Sequence, residues 1–285
     1  MQIQSNCCST YSIYNRCSLG KQSAKQAEVS FGGGLNAEIR KKIQNTDIKD
    51  VVSFFNARNI ETDFGDNKVI AACCQMTAKI FEDLNLPLPS KIIACDFSKY
   101  PKLKNTSLGS CKFYNDSPRT VFFNTYYLDD IGSINLLKTI EGINHTKSSD
   151  HFLSTFIHEF SHCCHHDNIC KKFGYGKFYH LLKEYPRAKF FQPDAIDILE
   201  ELGKMDTKKV SKLISSQLGT YATTNFLELV AEAHTKVITK ALNSSATKCN
   251  YNPFLKNQFT NNKKLNSIIS ASFNGDLERL RSLVS

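Results

Sequence analysis

No tryptophan occurs in this chain of 285 residues, so the aromatic part of any core falls to 20 Phe within a hydrophobic fraction of 41%. No stretch is long and apolar enough to span a membrane, which excludes a transmembrane helix. No apolar segment follows Met1, so a classical secretory signal is not expected. The run Gly32-Gly33-Gly34 is not followed by Gly-Lys-Ser/Thr, and a phosphate-binding loop is therefore unsupported. Lys and Arg outnumber Asp and Glu by 36 to 27, for a net charge of +9, yet they form no dense block. Nucleic-acid binding is thus permitted by the charge but not indicated. The 11 cysteines are odd in number and lack framework spacing, and several are adjacent, as in Cys7-Cys8, Cys73-Cys74 and Cys163-Cys164. Adjacent pairs inside helical patterns make poor disulfides, so reduced thiols of a cytosolic kind are expected.

Against these absences stands His158-Glu159-Phe160-Ser161-His162, inside residues 150–166. On a helix, residues four apart differ by about 40° around the axis, so His158 and His162 face the same way. Two imidazoles on one face can take two corners of a zinc tetrahedron. Glu159 lies about 100° round, placed to hold a metal-bound water without being a ligand. Zinc lowers the pKa of such a water to about 7, and a glutamate there can take its proton as it attacks a carbonyl. Phe152, Leu153, Phe156, Ile157 and Phe160 predict a buried helix, with Ser148, Ser149 or Asp150 as its cap. The competing reading is a charged turn on an ordinary surface helix.

A third ligand is sought in residues 221–238, where Phe226, Leu227, Leu229, Val230, Ala233 and Val237 predict a mostly buried helix. Glu228 and Glu232 interrupt that apolar pattern, four apart on one face. A buried carboxylate is unfavourable unless paired or bound to a metal. Glu228 as a zinc ligand and Glu232 as hydrogen-bond acceptor from a ligand histidine would answer that demand. A solvent-facing pair is the alternative.

The pattern Tyr221-x3-Asn225-x2-Glu228-x2-Ala231-Glu232-Ala233, joined to the upstream His-Glu-Phe-Ser-His, resembles the protease domain of anthrax lethal factor-like toxin and effector peptidases. These are zinc endopeptidases of the gluzincin type. The resemblance implies Zn2+, one per chain, held by His158, His162 and Glu228. It also implies Glu159 as general base and Tyr221 as donor to the oxyanion, a role that suits a neutral phenol. It extends over residues 90–241 at most and is sharp only at the two motifs.

The rest of the chain supplies the frame. Residues 1–35, rich in Ser, Gln, Asn and Cys, predict a disordered leader ending in a glycine hinge. With the resemblance, this leader is similar to an uncleaved signal of an injected effector. Helical spacing covers 35–60 and 67–86, the latter stopped by Pro87 and Pro89. Residues 91–97 and 119–128 predict strands, the second being the candidate edge at which an extended substrate would add as a further strand. Helices are predicted at 129–140, 174–184, 194–202 and 207–217, and the protease domain is expected over 36–241. Residues 242–264 read as a linker. Residues 265–285 read as helices resembling one ankyrin-type repeat, either docked on the domain or belonging to a longer array. Cys163, Cys164, His165, His166 and Cys170 read as core groups, with a second metal site as the lesser alternative.

The expected fold is α+β and zincin-like, mostly helical with a small twisted sheet beside the active-site helix. The expected function is zinc-dependent cleavage of a protein substrate in a host cytosol, after secretion by a non-classical, effector-type route. The alternative is a non-catalytic zincin-scaffold protein that recruits a partner.

Overall fold

A computed structural model describes residues 33–101, 103, 107–114, 117–128, 151–173, 207–224, 226–243 and 259–274. The leader up to residue 32, the helices predicted at 129–140, 174–184 and 194–202, most of the predicted linker and the ankyrin-like residues past 274 lie outside this set.

The helical spacing over 35–60 resolves into α1 (Gly33–Gln44) and α2 (Ile48–Asn56). They divide at Asp47, whose carboxylate accepts the Lys49 amide at 2.8 Å and so opens a second helix. Gly33 and Gly34 stand in the first turn of α1 rather than in a hinge, and Ile39 and Ile43, one turn apart, bury that helix against the core. Strand β1 (Glu61–Asp63) and helix α3 (Lys68–Asp83) follow. Asn67 caps α3 by accepting the Ile70 amide at 2.8 Å. Two residues beyond its end, Asn85 at φ 54° closes α3, with the Leu86 amide donating to the Phe81 carbonyl at 2.8 Å. This left-handed cap ends the helix, and Pro87 and Pro89 only keep it from resuming.

Strand β2 (Lys91–Cys95) is followed by a 3-10 turn (Phe97–Lys99) and then by β3 (Gly109–Tyr114) and β4 (Ser117–Asn124). The sheet order is β1-β2-β4-β3, with β1, β2 and β4 parallel and β3 antiparallel to β4. This corrects the expected edge. The predicted edge strand is paired on both sides, to β2 and to β3, so the edge beside it is β3. Residues 125–128, also read as strand, form a turn.

Four further helices complete the description: α4 (Ser154–Phe173), α5 (Thr207–Leu218), α6 (Phe226–Asn243) and α7 (Lys263–Phe273), with a 3-10 turn (Tyr221–Thr223) before α6. The chain is α+β, mostly helical with a small four-stranded sheet. Helix α4 packs on β3 and β4, on α3 and on α6, so it lies at the centre. The five apolar residues expected to bury it do so: Phe156 meets Phe123 of β4 at a ring separation of 4.6 Å, and Phe160 meets Phe81 of α3 at 5.5 Å. Burial of each such Phe is worth about 1.5–3 kcal/mol.

The expected caps of α4 lie upstream of its first turn and outside the described residues. Instead the imidazole of His151 accepts the Leu153 amide at 3.2 Å. At the other end of the chain, Phe259 and the α7 residues Leu265, Ile268, Ile269, Ala271 and Phe273 share one hydrophobic core with residues from Ile39 onward. Helix α7 therefore docks on α4 and α6.

Candidate metal centre

Helix α4 carries two polar stripes. His158 and His162 face α6, while Glu159, Cys163 and Asp167, spaced four apart, face the sheet. All five residues are buried. Helix α6 brings Glu228 and Glu232, also buried, to the first stripe.

The ring nitrogens of both histidines and one carboxylate oxygen converge. His158 Nε2 lies 2.9 Å from Glu228 Oε2, His162 Nε2 lies 3.2 Å from that oxygen, and the two Nε2 atoms are 3.0 Å apart. Corners of a tetrahedron with bonds of about 2.05 Å are about 3.3 Å apart, so three donors at these separations fit one small cation. This buried group can hold a metal ion, and among the described residues it is the cluster with that geometry.

Glu232 Oε1 lies 2.8 Å from His158 Nδ1. A proton on Nδ1 donated to Glu232 leaves the Nε2 lone pair directed at the convergence point, which fixes the tautomer that ligation requires. Burial alone would lower the His158 pKa, but hydrogen bonds to Glu228 and Glu232 and their charges outweigh it and raise it to about 10. Burial would likewise raise Glu228, yet its close contacts with the His162 and His158 imidazoles bring it down to about 2. Burial dominates at His162 and lowers its pKa, keeping a lone pair available.

Tyr221 is not on α6 itself. Helix α5 ends at Gly219, whose φ of 101° turns the chain back, and Tyr221 opens the short 3-10 turn that follows. Its ring centre lies 5.9 Å from that of His158. Burial first, then the charges of Glu228, Glu159 and Glu232 and a hydrogen bond to Glu228, hold the phenol's pKa well above its usual value. Tyr221 therefore keeps its proton and is a donor to the site.

Glu159 is wholly buried, with its carboxylate against β3. A methyl group on Gly109 would sit 2.7 Å from Glu159 Cγ and 2.8 Å from its Oε1. Only a glycine lets the strand lie that close. Of the five residues singled out from sequence, His158, His162 and Glu228 converge on one point and Tyr221 lies beside His158, while Glu159, next to His158 in the chain, turns its carboxylate toward β3.

The sheet's contributions were not anticipated. Beyond Gly109, Cys111 Sγ lies 3.0 Å from Cys163 Sγ, and the partly buried Arg119 of β4 forms an ion pair with the buried Asp167. The available signal was the dipeptide Asn115-Asp116, two turn-favouring residue types between β-compatible runs. Cys163, Cys164, His165 and His166 are buried as expected for core groups; burial, and then the Arg119 charge, lower the His166 pKa to about 3. The side chain of Cys170 lies outside the described residues.

No membrane-spanning helix is present among the described residues. Comparison of the chain with protein-family models, with curated proteins and with solved structures finds no match, so the candidate metal centre stands on its own geometry.

Proposed function

We propose that this chain is a zinc-dependent endopeptidase of zincin-like fold, similar to lethal factor-like gluzincin peptidases. The observation that carries the reading is the convergence of His158, His162 and Glu228 beside a buried glutamate that is not a ligand. His158, His162 and Glu228 would hold Zn2+, and the donor set, two imidazoles and one carboxylate, is one that catalytic zinc sites use. Held there, zinc supplies Lewis acidity, polarising a carbonyl and lowering the pKa of water toward about 7.

The chain's own groups account for the rest. Glu159 takes the proton from the attacking water. Tyr221 directs a neutral O–H at the carbonyl oxygen as negative charge develops there. Glu232 holds the His158 ring by its Nδ1–H. Burial of all these groups strengthens each interaction by excluding solvent. The substrate is a protein of a host cell, reached in its cytosol after delivery by a non-classical, effector-type route. That part of the reading rests on the motif resemblance alone.

Elemental analysis tests the proposal directly. Wild-type protein should contain about one zinc per chain, Glu228→Ala should lose most of it, and Tyr221→Phe should keep it while kcat falls more than about tenfold. A wild type that takes up no zinc after loading would remove the enzyme reading and leave a binding scaffold. Full zinc in Glu228→Ala would retain the metal but reassign its third ligand, with Glu232 next in line.

A further inference from the structure

Two sulfur atoms stand where the sheet edge meets the metal-bearing helix, and neither zinc binding nor peptide hydrolysis uses them. Cys111 and Cys163 are buried, 52 residues apart in sequence, and their Sγ atoms are 3.0 Å apart. The disulfide bond length is about 2.05 Å, so closure asks for a shift of about 1 Å.

The placement follows from a match between strand and helix. Gly109 and Cys111 are two residues apart on β3, about 6.8 Å. Glu159 and Cys163 are four apart on α4, about 6.0 Å. Gly109 lies against Glu159 and Cys111 against Cys163, so strand and helix run alongside each other in register. One contact beyond, Arg119 of the neighbouring strand meets Asp167, a further turn along the same stripe. The two thiols are thus the middle of three contacts along one stripe of α4, not neighbours by chance of sequence.

We propose that Cys111 and Cys163 form a reversible disulfide, a modification site for low-molecular-weight disulfides of the glutathione class, which clamps the sheet edge to α4. In the exchange, one cysteine sulfur attacks glutathione disulfide and one glutathione leaves as thiol. The second cysteine sulfur then attacks the mixed disulfide and the other glutathione leaves. One S–S bond breaks and one forms. Two protein S–H protons end on two glutathione thiols, and the protein pair is oxidised by two electrons as glutathione disulfide is reduced. Burial, followed by the hydrogen bond and charge of Cys163, pushes the Cys111 thiol's pKa well up, so exchange is slow in the closed structure. Strand β3 lies at the sheet edge, and the bond therefore forms as the chain folds or as that strand opens. Once formed, it fixes Gly109, two residues away, against Glu159.

The test refolds the reduced full-length protein in a buffer containing glutathione disulfide, alkylates the remaining thiols, and maps cross-linked peptides by mass spectrometry. One dominant cross-linked pair joining Cys111 to Cys163 is expected. The melting temperature should stand about 10 °C above that of the same sample after dithiothreitol. Cys111→Ala should abolish both the cross-link and the redox dependence of melting; Cys163→Ala serves as the second variant if the first does not fold. Recovery of Cys111 and Cys163 as alkylated thiols, as separate glutathione adducts, or bonded to other cysteines, in protein that melts cooperatively, overturns the proposal. Zinc content plays no part in the readout, so the result is independent of the peptidase reading.

Discussion

The two stripes of α4 solve opposite problems with the same kinds of side chain. On the stripe facing α6, His158, His162 and Glu228 crowd their donor atoms to within 3.2 Å of one another. On the stripe facing the sheet, each group meets a different partner: Glu159 meets Gly109, Cys163 meets Cys111, and Asp167 meets Arg119. Convergence on one point asks for an added ion, whereas one-to-one pairing completes itself. A helix can therefore be a metal ligand on one side and a structural seam on the other, and Glu159, at the boundary, belongs to both. The sheet sets where its carboxylate lies, and in the proposed peptidase the metal side would give it work.

That contrast is open to test, beginning with the largest effect. Glu159→Gln should reduce kcat about 10²–10⁴-fold while zinc content stays near that of the wild type. A variant that cleaves at an unchanged rate would take Glu159 out of the chemistry. On the sheet side, Asp167→Ala leaves the partly buried Arg119 without its charge partner and should destabilise the fold by up to about 3 kcal/mol, read as a lower denaturation midpoint. Zinc stoichiometry measured well below that midpoint should not move; if it does, the two stripes are not separable. Gly109→Ala should act between them. Its new methyl forces the Glu159 carboxylate to shift, so kcat should drop about tenfold to a hundredfold with zinc retained, and an unaltered kcat would mean that β3 does not position the base.

The smallest effect concerns protons. In the metal-free protein the His158 pKa is about 10, so at pH 7 its ring carries a proton on the nitrogen that a metal needs. Zinc must expel that proton, and its affinity should fall about tenfold for each unit the pH drops below about 10, as long as His158 is the group competing. Calorimetric titration in two buffers of different ionisation enthalpy should count about one proton released per zinc at pH 7. A count of zero would mean that His158 is already neutral at pH 7 in the metal-free protein.

Much of the metal side was legible because its information is local. His158 and His162 share a helical face by their spacing, and Glu228 and Glu232 break an apolar period that α6 makes visible. The sheet side was not legible in this way. Gly109 acts through a contact with a residue 50 positions away, and nothing in its immediate sequence announces that contact. Its strand mixes Gly, Ser, Cys and Lys without a clean alternation, and β1 is three residues long, too short for any periodicity. Missing β3 is also what made β4 read as an edge. The helix at 263–273 was visible as a helix, but its docking depends on which faces of α4 and α6 remain uncovered, and that is a property of the assembled core.

That docking bears on the order in which the chain matures. His165 Nε2 lies 3.0 Å from Ser272 Oγ, the Asn168 side chain donates to the Phe273 carbonyl at 2.9 Å, and the Phe273 ring stacks on His234 at 3.8 Å. One late helix thereby bridges the two helices that carry His158, His162 and Glu228. A nascent chain that has emerged as far as residue 243 already possesses His158, His162 and Glu228, yet the helices that carry them still expose His165 and His234 where α7 will lie. Synthesis runs at about 5–20 residues per second, so that state lasts for seconds before α7 emerges to cover them. The centre is thus written early in translation and finished late, and a ribosome stalled in between would present it assembled from ligands but not yet locked.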